Sequence, residues 1–218
     1  MDQAGDTERP LIGVLALQGD FEAHREALQR AGARVRPVRT AAELNGVDGL
    51  IIPGGESTTM LKLLDYENLF EPLRRFGAEK PIFGTCAGAI LLASEVVNPP
   101  QPSLSLLDMT VERNGYGRPI DSRIAQIELE GDRAAEAVFI RAPVIRRVGP
   151  DAKVLATYLN APVLVAQGRH LAATFHPELN QTDNRIHSLF VDKVNSARRI
   201  TERQNGPPQP AHKASPGA

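Results

Sequence analysis

The first hundred residues alternate short apolar segments with longer segments of helical periodicity. The apolar segments are LIGVLAL (11–17), DGLIIP (48–53) and PIFG (81–84), and ARVRPV (33–38) reads as a further strand, interrupted by Pro37 near its end. Apolar runs of this length are typical of strands that are covered on both faces. Helical patterns lie between them, as in residues 21–32, which end at a glycine suited to a helix C-terminus. This alternation predicts an α/β fold, a three-layer sandwich with a mostly parallel central sheet.

The section from about residue 104 to residue 175 has a different pattern. Strand-like runs follow one another closely there, as in SRIAQIELE, KVLATYL and PVLVAQ, so an antiparallel elaboration of the sheet is expected. A final helix is predicted over 182–197, with Ile186, Phe190 and Val194 on its apolar face. These patterns predict one folded domain over 11–198.

The two ends of the chain are predicted to lie outside that domain. Residues 1–10 are mostly polar and are expected to form a flexible N-terminus. Residues 199–218 are rich in Pro, Gly, Gln and Ser, and we expect a disordered C-terminal tail.

Charge and cysteine content restrict the class of protein. The formal net charge is −1, and no basic stripe is interleaved with aromatic residues, so neither nucleic acid nor an acidic membrane surface is an expected partner. The run 11–17 is too short to span a membrane, and the polar start does not resemble a signal peptide. A single cysteine excludes an intramolecular disulfide. These features favour the reducing cytoplasm.

The cysteine lies in the segment PIFGTCAGAILLA, where Gly84 and Gly88 flank Cys86 at positions −2 and +2. A G-x-C-x-G sequence between a buried strand and a helix is the cysteine form of the nucleophile elbow. The helix N-terminus would favour the thiolate, and the backbone N–H of Ala87 would supply one oxyanion-hole donor. The alternative is an ordinary strand–turn–helix in which the cysteine only fills space.

A thiolate nucleophile needs a proton-transfer partner, and His176 is the best placed of five histidines. It follows the apolar run LAATF, and Glu178, two residues on, can return to orient the imidazole. His24, on an amphipathic helix, and His170, in a predicted turn, are interpreted as surface residues, and His187 is given no role. A histidine at a strand end is more often structural, so this assignment depends on the elbow.

The glycine pair in Pro53–Ser57 follows another predicted strand. In a parallel sheet this loop lies at the same edge as Cys86, and Gly55 is inferred to supply the second oxyanion donor. A phosphate cradle is the weaker reading, because neither phosphate-loop motif is present. A plain β-to-α turn remains possible.

Together these residues resemble class I, triad-type glutamine amidotransferases. Six motifs are similar to those of the glutaminase subunits of pyridoxal 5'-phosphate synthase: LALQGD (15–20), PGGEST (53–58), GTCAG (84–88), VERNGYG (111–117), VFIRAP (138–143) and FHPEL (175–179). They occur in order across residues 11–197. The resemblance implies a flavodoxin-like fold and hydrolysis of L-glutamine to L-glutamate and ammonia.

The resemblance also assigns roles to residues. It implies a Cys86–His176–Glu178 catalytic triad. It further implies that L-glutamine is bound by Gly55, Glu56, Ser57, Arg113, Ile140 and Arg141. A guanidinium is well suited to grip the α-carboxylate of glutamine. No cofactor and no metal are expected, and the implied partner is a separate synthase subunit in a large hetero-oligomer that uses the ammonia to make pyridoxal 5'-phosphate.

Two alternatives stay open. One is another cysteine hydrolase on a similar sheet, such as a peptidase or a DJ-1-like stress protein, which would still use Cys86. The other is a catalytically silent subunit that regulates its partner.

Overall fold

The computed structural model describes residues 9–113, 123–131 and 133–205. Its strands are β1 (Leu11–Leu15), β2 (Arg34–Val38), β3 (Gly49–Ile52), β4 (Ile82–Thr85), β5 (Ala93–Val97), β6 (Leu107–Glu112), β7 (Arg123–Leu129), β8 (Arg133–Phe139), β9 (Val144–Val148), β10 (Lys153–Tyr158), β11 (Ala161–Gln167) and β12 (His170–Ala173). Its α-helices are α1 (Phe21–Arg30), α2 (Ser57–Tyr66), α3 (Phe70–Glu79), α4 (Ala87–Leu92) and α5 (Arg185–Asn205). Short 3₁₀ helices span Ala41–Leu44 and Pro177–Leu179.

The main sheet has nine strands in the order β2-β1-β3-β4-β12-β11-β10-β7-β8. The pairs from β2 to β12 are parallel, whereas the pairs from β12 to β8 are antiparallel. The α/β class and the antiparallel elaboration are therefore confirmed, but a mostly parallel sheet is wrong, because only half of the pairings are parallel. From β10 to β12 the links are too short for crossover helices, and strands joined by short links pair antiparallel.

The main sheet is covered on both faces. Within β3, Leu50 and Ile52 belong to one hydrophobic core while Ile51 belongs to the other, as strand alternation requires. The first core contains side chains of α2 and α3 and of a small sheet, β5-β6-β9. The second contains side chains of α1 and α5, including Phe190 and Val194 on the predicted apolar face. Two helical layers thus enclose the sheet.

The bounds of the last helix differ from the sequence prediction. Helix α5 begins at residue 185 and continues to 205, past the predicted domain end at 198. Residues 199–205 include Arg, Glu and Gln, which favour helix, and Pro207 and Pro208 follow. The rest of the predicted tail, from 206, and most of the predicted N-terminus lie outside the described residues.

Three neighbouring parallel strands end at one edge of the main sheet. The glycine loop follows β3, Cys86 follows β4, and His176 lies three residues after β12. Ligand sites of parallel α/β sheets lie outside the carboxyl ends of the strands. Of the helices that the structure describes, none is long and apolar enough to span a membrane.

Candidate active site

Cys86 occupies a strained turn between β4 and α4. Its backbone has φ 48° and ψ −104°, a conformation that residues other than glycine rarely adopt. A Cβ atom on Gly84 would lie 2.4 Å from the carbonyl oxygen of Gly88, and one on Gly88 would lie 2.0 Å from that of Ile52. The elbow therefore requires both glycines, because backbone occupies the space that a side chain would need. The tight strand–turn–helix geometry predicted around Cys86 is present.

His176 reaches the elbow from β12. Cys86 donates its backbone N–H to the carbonyl of Ala173 at 2.8 Å, which ties the elbow to the end of this strand. The backbone N–H of His176 in turn donates to Val138 at 2.8 Å. The imidazole and the Cys86 side chain line the same cavity, and Nδ1 of the imidazole lies 2.7 Å from Oε1 of Glu178. The structure thus brings the three predicted triad side chains together.

The charges around His176 favour an imidazolium. Burial lowers the pKa of His176, but the hydrogen bonds and charges of Cys86 and Glu178 outweigh it and raise that pKa to about 10. Burial raises the pKa of Glu178, yet the two facing imidazoles of His24 and His176 hold it below its ordinary value. At neutral pH His176 is therefore an imidazolium that faces the carboxylate of Glu178.

The glycine loop after β3 lies against the triad. A Cβ atom on Gly54 would lie 2.4 Å from Cε1 of His176 and 3.4 Å from Cβ of Cys86. Gly55 has φ +137°, and a Cβ there would meet the side chain of Gln18 at 3.0 Å. Gln18 also donates from Nε2 to the carbonyl of Glu56 at 2.7 Å. The sequence drew attention to the LALQGD segment, but it did not reveal that Gln18 supports this loop.

Glu56 and Arg113 form a charged edge of the site. Glu56 caps α2 by accepting from the backbone N–H groups of Thr58 and Thr59 at 3.0 and 2.6 Å. These bonds outweigh partial burial and lower its pKa to about 2. Nη2 of Arg113 lies 3.1 Å from Oε1 of Glu56 and donates to the hydroxyl of Thr58 at 2.8 Å. The guanidinium is thereby held beside a permanently charged carboxylate.

The remaining predicted residues lie around the same opening. The hydroxyl of Ser57 is buried and donates to Oε1 of Gln101 at 2.9 Å. Sγ of Cys86 lies 3.8 Å from the carbonyl oxygen of Ile140, as a weak hydrogen bond. Arg141 follows with φ 45°, so the loop after β8 turns sharply at this point.

A cavity of about 390 Å³ joins these groups. Its lining residues are Gly55, Glu56, Ser57, Cys86, Ala87, Ile90, Arg113, Ile140, Arg141 and His176. Every predicted site residue except Glu178 lies on this lining, and Glu178 is buried behind His176. The volume is in the range typical of small-molecule sites. Among the described residues, no group of histidine, cysteine and carboxylate side chains has the arrangement of a metal site.

His24 and His170 are buried, so their interpretation as surface residues is wrong, and His187, which was assigned no role, is buried as well. His24 and His187 are fully buried, and His170 is 8% exposed. His170 begins β12, where its Nδ1 accepts the N–H of Ile82 at 3.2 Å. His24 lies on the face of α1 that packs on α5, with Nε2 3.5 Å from Oε2 of Glu178. A histidine pattern within one helix gives no signal for such a contact, which only the packing of two distant helices creates.

A cysteine on a strained elbow, in one cavity with a histidine that contacts a buried glutamate, is the arrangement that triad-type cysteine hydrolases use. Comparison with known families gives a narrower assignment. Residues 14–196 match the model of the SNO glutamine amidotransferase family. The chain belongs to this family, and the resemblance drawn from the six motifs is confirmed.

Individual relatives agree with this assignment. The "pyridoxal 5'-phosphate synthase subunit PdxT" of Solibacter usitatus is 58% identical over 190 residues, which is 84% of this chain and 98% of the relative. The protein of the same name from Deinococcus radiodurans is 54% identical over 187 residues, 83% of this chain and 95% of the relative. A crystal structure of a glutamine amidotransferase superposes with a TM-score of 0.78 at 48% identity, covering 84% of this chain and 98% of that one.

More distant structures share the fold alone. A glutamine amidotransferase from Thermotoga maritima has a TM-score of 0.56 at 14% identity, covering 90% of this chain and 97% of that one. The predicted fold of class I glutamine amidotransferases agrees with these neighbours, with a mixed sheet in place of a mostly parallel one.

Proposed function

We propose that this chain hydrolyses L-glutamine through a Cys86–His176–Glu178 triad and delivers the ammonia to a synthase subunit that makes pyridoxal 5'-phosphate. By family the chain is a glutamine amidotransferase, so its acyl donor is glutamine. The observation that supports the triad best is that Cys86 and His176 line one cavity, large enough for an amino acid, while Nδ1 of His176 lies 2.7 Å from the buried Glu178.

The first half of the reaction forms a thioester. Sγ of Cys86 attacks the side-chain carboxamide carbon, and the negative charge moves to the carbonyl oxygen. The backbone N–H groups of Ala87 and Gly55 are the proposed donors to this oxygen. The imidazolium of His176 gives its proton to the amide nitrogen, the C–N bond breaks, and ammonia leaves a glutamyl thioester on the cysteine.

The second half restores the enzyme. His176, now neutral, accepts a proton from water as that water attacks the thioester carbon. The C–S bond breaks and regenerates the thiolate, while His176 is again an imidazolium. The new side-chain carboxylic acid loses its remaining proton to solvent, and glutamate leaves. Glu178 keeps Nδ1–H directed to itself, so Nε2 of His176 faces the reacting atoms in both halves.

The charged edge of the cavity suits the amino-acid end of glutamine. Arg113 and Glu56 present charges of opposite sign on one wall, as a zwitterion requires. Arg141 lies on the same lining and adds a second guanidinium for the α-carboxylate. We assign the backbone of Gly55 and of Ile140, with Ser57, to the walls that position the carboxamide over Cys86.

The partner follows from the chemistry of ammonia and from the named relatives. In bulk water at neutral pH ammonia is mostly ammonium, which is not a nucleophile, so an enzyme that uses it gains from direct transfer. The relatives are named as subunits of pyridoxal 5'-phosphate synthase, and we propose the same hetero-oligomer for this chain. We also propose the cytoplasm as its location, because a thiolate nucleophile must stay reduced.

The test is an assay of glutamine turnover with and without the synthase subunit. We expect release of glutamate and ammonia in equal amounts, rising when the synthase docks, and no cleavage of peptides. Glutamate and ammonia are measured separately, and a peptide library is the control substrate. Peptide cleavage without glutamate release would favour a cysteine peptidase, and equal turnover with and without the synthase would contradict activation by docking.

Replacing Glu178 by glutamine should shift the pH profile more than it slows the reaction. An amide can still accept Nδ1–H of His176, so we expect kcat to fall by only about tenfold, since cysteine–histidine–asparagine triads function in other enzymes. The lost carboxylate charge is one cause that raises the pKa of His176 to about 10. That pKa should therefore fall, and the alkaline limb of kcat/KM should move to lower pH.

The raised pKa of His176 also makes the stability of the fold depend on pH. The raised pKa of His176 contributes stability that is fully present below the ordinary value of 6.5 and is lost as pH rises through about 10. In Glu178→Gln this loss should begin at lower pH. Thermal unfolding and kcat/KM measured from pH 5 to pH 10.5 check both effects. An alkaline limb that stays in place or moves upward would contradict the assigned imidazolium.

A further inference from the structure

Behind the triad lies a pair of histidines, His24 and His187, that the proposed reaction does not use. Nδ1 of His24 on α1 lies 3.1 Å from Nε2 of His187 on α5, and both side chains have zero exposure. The ring of His187 also meets Phe83 of β4 edge-on, with centroids 6.1 Å apart. Polar side chains buried this completely are expected to be hydrogen-bonded, because leaving them without partners costs free energy.

Glu178 lies between His176 on one side and His24 on the other. Its Oε1 accepts from His176, whereas its Oε2 is buried without a hydrogen bond among the residues that the structure describes. The nearest ring nitrogen to Oε2 is Nε2 of His24, at 3.5 Å, which a movement of a few tenths of an ångström turns into a hydrogen bond. Nε2 of His24 also lies 3.3 Å from the hydroxyl oxygen of Thr85, the residue before the nucleophile.

The two possible arrangements of protons on this pair are not equivalent. If Nδ1 of His24 carried the proton and donated to His187, then Nδ1 of His187 would be a buried N–H, and that atom has no partner in the described structure. In addition, Nε2 of His24 could then only accept, from the hydroxyl of Thr85, and Oε2 of Glu178 would have no donor. The reverse arrangement leaves only one unfilled acceptor and directs Nε2–H of His24 toward Glu178.

The charges around the pair agree with neutral rings. Burial, first of all, lowers the pKa of His24 and lowers that of His187 to about 3. The charged groups facing the pair are Glu178 and Asp20, which oppose this lowering, and His176 and Arg30, which add to it. Neutral His24 can therefore donate one N–H to Glu178 without placing a second cation next to the imidazolium of His176.

We propose that His24 is a positioning residue for the reaction: its Nε2–H, set in that tautomer by His187, holds the second oxygen of Glu178 while the first orients His176. His187 then donates a hydrogen bond to His24, and His24 donates one to Glu178. The same carboxylate accepts a second hydrogen bond from His176. This inference rests on the proposed glutaminase function. It adds to it a residue that lies outside the cavity and does not touch substrate.

Removing this donor should affect the chemistry and leave substrate binding unchanged. In His24→Leu we expect kcat to fall by about 10–100-fold, the range for hydrogen-bonded partners that orient a functional side chain, with KM for glutamine unchanged. Without the N–H, the pKa of the buried Glu178 should rise, so the acid limb of kcat/KM should move to higher pH by about one unit. A role limited to packing would lower stability without moving that limb.

Two conservative variants show which ring nitrogen of His24 the reaction requires. His24→Gln places an amide N–H near the position of Nε2 and should restore most of kcat and the wild-type acid limb. His24→Asn reaches only the position of Nδ1, so it should resemble His24→Leu. His170→Asn is the matched control, because that histidine is also buried and uses Nδ1, but it lies apart from the triad on Ile82. It should leave the pH profile unchanged.

A direct measurement of the tautomers keeps the proposal testable should a variant fold poorly. In the wild-type chain labelled with ¹⁵N-histidine, NMR should show Nε2–H on both His24 and His187, with Nδ1 bare. A proton on Nδ1 of His24 would overturn the proposal. If wild type with its synthase releases no glutamate, the proposed function fails while the tautomer result still decides this inference. If wild type is active and His24→Leu matches it, only the positioning role is wrong.

Discussion

The Cys86→Ala variant is expected to lose glutamine hydrolysis by about 10⁴-fold or more, because no other group can form the thioester. Cys86 is the single cysteine of the 218-residue chain, so no neighbouring thiol can substitute for it. Glutamate release and ammonia production should fall together. A glutamine-analogue electrophile should label wild type once per chain and should not label the variant, which assigns the modified residue without further mapping.

The control for this variant is synthesis of pyridoxal 5'-phosphate from added ammonium. Alanine accepts the same φ of 48° at a cost similar to that of cysteine, so the fold and the docking surface should be retained. The variant assembled with the synthase should therefore use ammonium salts as well as wild type does, and glutamine not at all. Glutamine-dependent synthesis at the wild-type rate would instead favour a silent regulatory subunit.

The parts of the site that the sequence predicted are those with a local cause. Gly84 and Gly88 flank Cys86 because backbone atoms of Gly88 and Ile52 leave no space for side chains, and such a turn shows directly in the G-x-C-x-G sequence. His176 follows a buried strand and is two residues from its carboxylate, which is also a local pattern. Glu56, Ser57, Arg113, Ile140 and Arg141 were predicted only from the family resemblance, because nothing in their local sequence distinguishes them from other surface residues.

The parts that were missed have non-local causes. The closely spaced strand runs indicated antiparallel pairing, but how much of the main sheet is antiparallel depends on which strands meet at β12, and strand periodicity does not reveal that. His24 lies in an amphipathic pattern that is compatible with the surface, and only contact with α5 buries it. Gln18 supports Glu56 across a sequence separation of 38 residues. In each case the missing information was which elements meet in space.

The Gly54→Ala variant is expected to lose about 10²–10³ in kcat although it adds one methyl group to a loop, because displacing a reacting group by about 1 Å costs roughly 10²-fold. The added Cβ would lie 2.4 Å from Cε1 of His176 and 3.4 Å from Cβ of Cys86. The loop and the imidazole cannot both keep their positions. The ring must move away from the thiolate, or the loop must carry the proposed oxyanion donor Gly55 away from the carbonyl.

Gly77→Ala provides the matched control for this prediction. Its Cβ would meet Cδ1 of Leu106 at 2.3 Å, a nominal overlap as severe as that at Gly54, but with the flexible end of a side chain remote from the cavity. It lies within α3, where alanine favours the helix over glycine by about 1 kcal/mol, so activity should remain near that of wild type. Kinetics, labelling of Cys86 and thermal unfolding of both variants make the comparison.

If Gly54→Ala kept kcat within threefold of wild type, the close contact between this loop and His176 would have no part in catalysis. If Gly77→Ala lost as much activity as Gly54→Ala, general loss of packing would explain both.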